Sequence, residues 1–451
     1  MLIKFVVRNL FSFDKEVEFT MLPGKRINRL AHHRYDNSGI EALKLAAVYG
    51  ANGAGKSNLV RAISGLMHFV LSGDIPIEFV TERFKLSGEG TNSSVHLLIE
   101  YAKERELFRY EVAILESKVL HESLHILDSG RTEEKLLFSR VVENGSLKLN
   151  FYRSFYKDKE NVLLQDLLQT TLIKPGKSAF NTINSLHRKG FEKIEKAFSW
   201  FRHNLEIISP ETKPIGLPQK IDQDQGFKKF ANELVCAFST GIAHIHVEKK
   251  NIEDYFGKDN KKELEEMTAK LSAKPNSYIM LRDDVVAVNE NGKISTKQLL
   301  LQHRNSSNEL VSFNLNEESD GTIRLLEYVL AIKDIIEEEV TYIIDEMERS
   351  IHALIIKDII SKFSSDTMTK GQLIFSTHES NLLDQEIFRQ DEIWFAQKNN
   401  WGATEMYRLS DLKEHHTIDI RKGYLMGRYG GIPFLGNLQD LNWNKFISED
   451  H

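Results

Sequence analysis

Three features of the 451-residue sequence predict an α/β fold built around a nucleotide-binding loop. An apolar stretch, Leu43–Tyr49, runs into a glycine-rich loop of the form G-x-x-x-x-G-K-S (Gly50, Gly55, Lys56, Ser57), and the loop opens a segment of helical periodicity. A second apolar stretch ends in Asp345-Glu346, and a third ends in Ser376-Thr377-His378. Polar residues delivered at the ends of buried strands sit at the carboxyl edge of a parallel sheet, where α/β folds bind their ligands.

The loop comes first because its context is complete. Glycines let backbone N–H groups wrap phosphate without a clashing Cβ, and the helix that follows adds its dipole and free N–H groups. Residues Asn52, Gly53, Ala54, Gly55, Lys56, Ser57 and Asn58 are therefore expected to bind ATP. Lys56 reaches the β- and γ-phosphates and Ser57 ligates Mg²⁺. A second Gly-Lys-Ser, in "KPGKSA" (Lys174–Ala179), has Thr171 where the first glycine would be needed and no buried strand before it. It reads as a loop leading into a helix.

Composition narrows the class. A hydrophobic fraction of 41% and a charged fraction of 27% describe a globular chain, too long for one ordinary domain. No uncharged apolar run approaches the roughly 18 residues of a membrane span. "MLIKFVVRNLFSF" alternates like a strand rather than a secretory signal. The lone cysteine, Cys236, allows no internal disulfide, which suits a reducing cytoplasm. Net charge is −6, yet residues 151–250 hold 16 Lys/Arg against 11 Asp/Glu, a mild basic bias compatible with a solvated surface or with DNA contact.

Along the chain, residues 1–153 read as strands around the loop: "SVHLLIEY", "LFRYEVAIL", "KVLHESLHIL" and "SLKLNFY" alternate or are β-rich. From about residue 160 the period becomes helical, through "VLLQDLLQTTL", "SAFNTINSLHRKG" and a run expected to stay helical from Phe191 to Ile208. A proline-rich break follows at Ser209–Pro218, then a charged helix ending near Pro275. Strands resume at "SYIMLRDDVVAVN" and "ELVSFNL". No heptad run is long enough for an extended coiled coil. The expected division is 1–153, 154–275 as a mainly helical insertion, and 276–451.

The downstream motifs complete the set. Asp345 ends a buried strand and can hold Mg²⁺, and the next carboxylate, Glu346, can orient or deprotonate an attacking water. His378 follows its own apolar strand and is placed to sense a γ-phosphate. Ser319-Asp320-Gly321 begins an apolar helix. Taken alone it is an N-cap, but it also offers a second anion site. One ATP needs one phosphate loop, so a second anion site makes sense if nucleotide lies between two subunits.

The ordered motifs "GANGAGKS", "ESDGT", "IIDE" and "STH" resemble the ABC-type ATPase heads of the SMC and double-strand-break-repair class, whose two halves are split by an insertion. More narrowly, "NLFSF", "IDEMERSIH", "STHESNLLD", "DEIWFAQKNNWGATEMYRLSDL" and "KGYLMGRYGGIPFLG" resemble bacterial AAA-ATPase-like proteins of abortive-infection and restriction-linked loci, cousins of the overcoming-lysogenization-defect nucleases. The resemblance covers residues 1–110 and 310–436. It implies an α/β, ABC-type P-loop NTPase head split in sequence, with ATP and Mg²⁺ as ligands. Gly50–Asn58 then bind phosphate, Ser57 and Asp345 hold Mg²⁺, Glu346 is the catalytic base and His378 the switch histidine. Ser319 and Gly321 form a signature that closes on a partner subunit's ATP. Two departures stand out: the signature reads "ESDGT", and no glutamine occurs between Ser57 and Gln165, where a Mg²⁺-sensing glutamine is usual.

These features lead to a cytoplasmic ATPase of an anti-phage, abortive-infection type. It would form an ATP-dependent homo-oligomer and control a separate effector, a nuclease. The alternative is a DNA-repair ATPase that clamps DNA directly. A transporter subunit fits poorly, because Ser57 and Ser319 lie too far apart. A nuclease in cis also fits poorly. "DQD" (Asp222–Asp224) stands in a Pro/Gln-rich stretch, and the pairs His32/His33, His244/His246 and His415/His416 lack cysteine or a clear carboxylate partner.

Overall fold

The computed structural model describes residues 1–430 apart from 38, 87–92, 144, 213–215, 239, 258–259, 274–276, 283 and 413–417. It is an α/β protein of two compact units, each assembled from separated stretches of chain. One unit comprises Leu2–Phe201 and Ser376–His451; the other comprises Arg202–Phe375 with Met1. Among the described residues no helix is long and apolar enough to cross a membrane.

The unit that carries the phosphate loop has a seven-stranded antiparallel sheet. Its four consecutive hairpin-linked strands, Val95–Lys103, Glu106–Leu115, Lys118–Leu127 and Glu134–Glu143, lie between Leu2–Arg8 at one side and Ser146–Phe151 at the other. The strands at 95–103, 106–115, 118–127 and 146–151 are those the alternation predicted. Glu134–Glu143 was not expected. The helix Glu192–His203 buries Ile194, Ala197, Phe198, Trp200 and Phe201, one apolar stripe at helical spacing. Trp200 stacks on Tyr101 of the sheet at 4.4 Å between ring centroids, and the Tyr101 hydroxyl donates to the Ala197 carbonyl at 3.1 Å.

The "KPGKSA" loop precedes the helix Ala179–Asn184, as expected, and its amides are already committed. The N–H groups of Ala179 and Phe180 donate to the buried Glu122 carboxylate at 2.7 and 2.9 Å. The Ser178 hydroxyl donates to the same carboxylate at 2.8 Å. The buried Arg140 guanidinium donates to the carbonyls of Lys174, Pro175 and Lys177. A carboxylate of the chain itself takes the place a phosphate would need.

In the same unit the strand Leu45–Tyr49 is buried throughout and pairs in parallel with Ile393–Lys398, which pairs antiparallel with Thr404–Arg408. A buried polar cluster pins this region. Arg389 forks onto Asp391 at 2.8 and 2.9 Å and donates to the carbonyls of Ile27 and Arg29, while the Glu392 carboxyl meets His33 Nδ1 at 3.0 Å.

The second unit contains two sheets. Leu205–Ile208, Thr341–Ile344 and Gln372–Thr377 run parallel in that order. Ile242–Asn251, Lys293–Arg304, Val285–Glu290 and Tyr278–Arg282 form an antiparallel sheet, with Leu310–Asn314 on the flank of Lys293–Arg304. One sequence expectation changes here. The helix beginning near Phe191 ends at His203, and Leu205–Ile208 is a strand beside Thr341–Ile344. The segment 154–275, expected to be mainly helical, also holds the strand Ile242–Asn251. Leucines on Lys293–Arg304 pack with the helix Gln225–Ala237 in an apolar core that includes Leu299, Leu301, Phe227 and Val235.

The His33–Glu392 pair sets a pH dependence. Burial, then Lys44 and Arg389, lower His33 to about 4 from an ordinary 6.5, and burial raises Glu392 well above its ordinary 4.5. The histidine's contribution to stability is complete above pH 6.5 and is lost as pH falls through about 4. The carboxyl's contribution is complete below pH 4.5 and is lost as pH rises through its folded value. Above pH 4.5 the two slopes oppose each other while the histidine's contribution is still growing. The stability difference between wild type and Glu392→Gln, followed by unfolding at a series of pH values, is expected to move against the wild type as pH rises above 4.5. A difference independent of pH would refute the assignment.

Candidate functional site

The phosphate loop is shaped by contacts that exclude side chains. Gly53 and Gly55 have φ of +76° and +110°, and Gly55 caps the 17-residue helix Lys56–Ser72. A Cβ at Gly50 would stand 2.5 Å from the Ala396 carbonyl oxygen, and one at Gly55 2.2 Å from Thr404 Oγ1. Ala396 lies on the strand paired with Leu45–Tyr49 and Thr404 begins the strand beyond it, so the sheet and the loop specify one another. Thr404 is a brace that the sequence did not reveal. Its hydroxyl donates to the Ala54 carbonyl at 2.8 Å and lies 2.8 Å from the Ser12 hydroxyl, to which Asn58 Nδ2 also donates. Lys56 is buried and its ammonium donates to the carbonyls of Gly50 and Ala51 at 2.7 and 3.1 Å, while Asn52 and Gly53 are exposed. A loop with this curvature, an exposed crest and a lysine at the helix start fits a polyphosphate.

His378 belongs to the same unit and is exposed directly after the buried Ser376 and Thr377. The Thr377 hydroxyl accepts from the Glu379 N–H at 3.0 Å, which turns the chain immediately after the strand. Gln165, the first glutamine after the loop, donates its amide to the Leu149 carbonyl, so it is engaged within the antiparallel sheet.

The other unit gathers Ser319, Gly321, Asp345 and Glu346. Thr341–Ile344 is wholly buried and delivers the 5%-exposed Asp345 at its end. Glu346 follows with φ +51°, half-exposed, with Arg349 Nη1 at 4.0 Å from its carboxylate. A left-handed glutamate is uncommon and persists only where its surroundings hold it. Ser319 caps the 18-residue helix Asp320–Glu337, accepting from the Thr322 N–H at 3.2 Å. A Cβ on Gly321 would lie 2.6 Å from the Ser350 carbonyl oxygen, so the start of this helix abuts the loop after Glu346.

The remaining sequence candidates have other occupations. Asp224 caps the helix Gln225–Ala237 through the Phe227 N–H, and Asp222 lies 2.7 Å from both Lys249 and the fully buried Lys297. His33 faces Glu392, and His244 and His246 are exposed on the strand Ile242–Asn251; His415 and His416 lie outside the described residues. Among the described residues no three His, Cys, Asp or Glu side chains gather in a way that would hold a metal ion.

The steric limits of the loop yield a prediction. Gly53→Ala meets no atom and carries only the left-handed strain, on the order of 1 kcal/mol. Gly50→Ala drives a methyl into backbone and is expected to weaken ATP binding by at least about tenfold more than Gly53→Ala does. Titration of a fluorescent ATP analogue checks this, and equal affinities in the two variants would contradict it.

Comparison with known proteins is consistent with a nucleotide-binding chain. The profile of the family described as "AAA domain, putative AbiEii toxin, Type IV TA system" matches residues 45–384. No curated protein matches the sequence. Among solved structures, the chain is similar to an SMC head bound to the C-winged helix domain of ScpA, with 11% identity over 92% of this chain and 99% of that one and a TM-score of 0.43. It is also similar to the SMC head domain from Thermotoga maritima, with 12% identity, 90% and 98% coverage and a TM-score of 0.37. A third is the Smc head domain with an extended coiled coil bound to the C-terminal domain of ScpA derived from Pyrococcus furiosus, with 12% identity, 92% and 99% coverage and a TM-score of 0.38.

Proposed function

Because the chain belongs to the AAA-domain family whose profile spans residues 45–384, we propose that this AAA-type ATPase binds ATP with Mg²⁺ and hydrolyses it. The observation that carries the reading is the phosphate loop, where Gly50 and Gly55 stand at contacts that admit no Cβ and Lys56 begins the following helix. Loop amides and Lys56 bind the phosphates of ATP. Ser57 and Asp345 hold Mg²⁺, which neutralises phosphate charge when bound. Glu346 accepts a proton from the attacking water, and His378 responds to the γ-phosphate.

Ser319 and Gly321 extend the proposal to two subunits, each signature closing on the other's nucleotide. A family description that names a toxin–antitoxin system supports a role in defence. In that role the ATP-bound homo-oligomer holds or releases a separate effector, a nuclease, by binding it in one conformational state better than in the other. The engagement of Asp222 by two lysines and of Asp224 as a helix cap favours this reading over cleavage by the chain itself.

Lys56→Ala is expected to weaken ATP binding by about tenfold or more, the value of a charge-assisted contact to phosphate. Glu346→Gln should bind ATP normally, hydrolyse at a small fraction of the wild-type rate and accumulate as an ATP-dependent dimer in light scattering. Ser319→Arg in that background should abolish the dimer. A monomer throughout would eliminate the two-subunit site. Robust cleavage of DNA or RNA by the purified chain alone, with ATP and Mg²⁺ or Mn²⁺, would eliminate the separate effector.

A further inference from the structure

The helix Asp320–Glu337 presents three residues at positions i, i+3 and i+7, Gly321, Arg324 and Tyr328, which share one face. Each meets backbone in the loop that follows the acidic strand. Gly321 packs against the Ser350 carbonyl oxygen, with no room for a methyl. Arg324 Nη2 donates to the Asp345 carbonyl at 3.3 Å. The Tyr328 hydroxyl donates to the Met347 carbonyl at 2.8 Å. The helix therefore grips the residue before Glu346 and the residue after it, and Glu346 between them carries the left-handed φ of +51°.

The grip is itself fixed. Arg324 is 5% exposed and pairs with the 4%-exposed Glu327 at 2.7 Å. Its Nη1 also donates to the Ser209 carbonyl at 2.9 Å, at the end of Leu205–Ile208. Its guanidinium lies 5.4 Å from the Tyr328 ring centroid. A desolvated arginine with several partners is costly to move, and a backbone in a sparsely populated conformation stays there only when over-determined. A single carbonyl contact would leave the peptide on the other side of Glu346 free to relax; contacts on both sides do not.

We infer that Arg324 and Tyr328 are positioning residues for Glu346, holding its carboxylate through the flanking carbonyls, and that Gly321 ties this grip to the helix end that carries Ser319. This rests on the reading of Glu346 as the catalytic base. It adds a route by which an event at Ser319 and Gly321 reaches the base of the same subunit: a small movement of one rigid helix shifts the Glu346 peptide.

Tyr328→Phe tests the inference with the least disturbance to packing, because it removes one hydroxyl. In the full-length protein, assayed well below its melting temperature, kcat is expected to fall about tenfold while the Kd for ATP changes less than twofold. A purely structural tyrosine would lower the melting temperature without this split. In a Glu346→Gln background the same change should alter the residual rate less than twofold, because its effect runs through Glu346. A wild-type kcat in Tyr328→Phe, beside an inactive Glu346→Gln, overturns the positioning role alone. A further severalfold loss in the double variant also overturns it. Full hydrolysis by Glu346→Gln overturns the assignment of the base, and the inference with it.

Discussion

The backbone around Glu346 is the constraint on which the acidic end of its unit depends. Glu346 sits at φ +51° directly after a buried strand, and the carbonyls on either side are held by one helix. Much of its unit is arranged around this point. Leu205–Ile208 lies parallel to Thr341–Ile344, and the Ile208 carbonyl accepts the Asp345 N–H at 2.8 Å. Arg324 joins the end of that strand, through Ser209, to the end of the acidic one. A carboxylate that must meet a water in one orientation gains from a backbone that cannot relax, since misplacement by an ångström is expensive in rate.

The features that were legible in the sequence are those whose physics is local. A phosphate loop needs glycines where the chain turns left-handed and where backbone approaches closely, and those needs are written within eight residues. The alternation of Glu106–Leu115 is likewise local, because burial alternates along the strand from Phe108 onward. Leu205–Ile208 was illegible for the opposite reason. Its "LEII" continues the apolar rhythm of Glu192–His203, and a four-residue buried strand has no period of its own. It is a strand because the edge of Thr341–Ile344 accepts it, a pairing between residues more than a hundred positions apart.

Lys293–Arg304 shows how buried charge hides a strand. Lys297 reads as a surface residue, yet it is fully buried against Asp222 and Glu290. The carboxylate that suggested metal chemistry in "DQD" is half of that arrangement. Glu122 and the "KPGKSA" loop repeat the lesson with backbone donors: N–H groups that converge on an anion need one, and the chain can supply it. In both places the sequence displayed the right chemical groups, and only the tertiary partner decides between a ligand site and an internal brace.

The same reasoning separates the two glycine-lysine-serine loops. Around Ala179 and Phe180 the converging amides meet Glu122 and are closed to any outside anion. Around Gly53 the loop crest is exposed, and the braces reach it from the opposite side: Thr404 holds the Ala54 carbonyl, and Lys56 holds those of Gly50 and Ala51. These partners are acceptors gripped by donors, and of the loop amides Ala54 N–H is spent within the loop, on the Ala51 carbonyl at 3.1 Å. A loop whose carbonyls are satisfied from within keeps its remaining donors for a ligand, and a polyphosphate is the ligand that such a row of donors at a helix start selects.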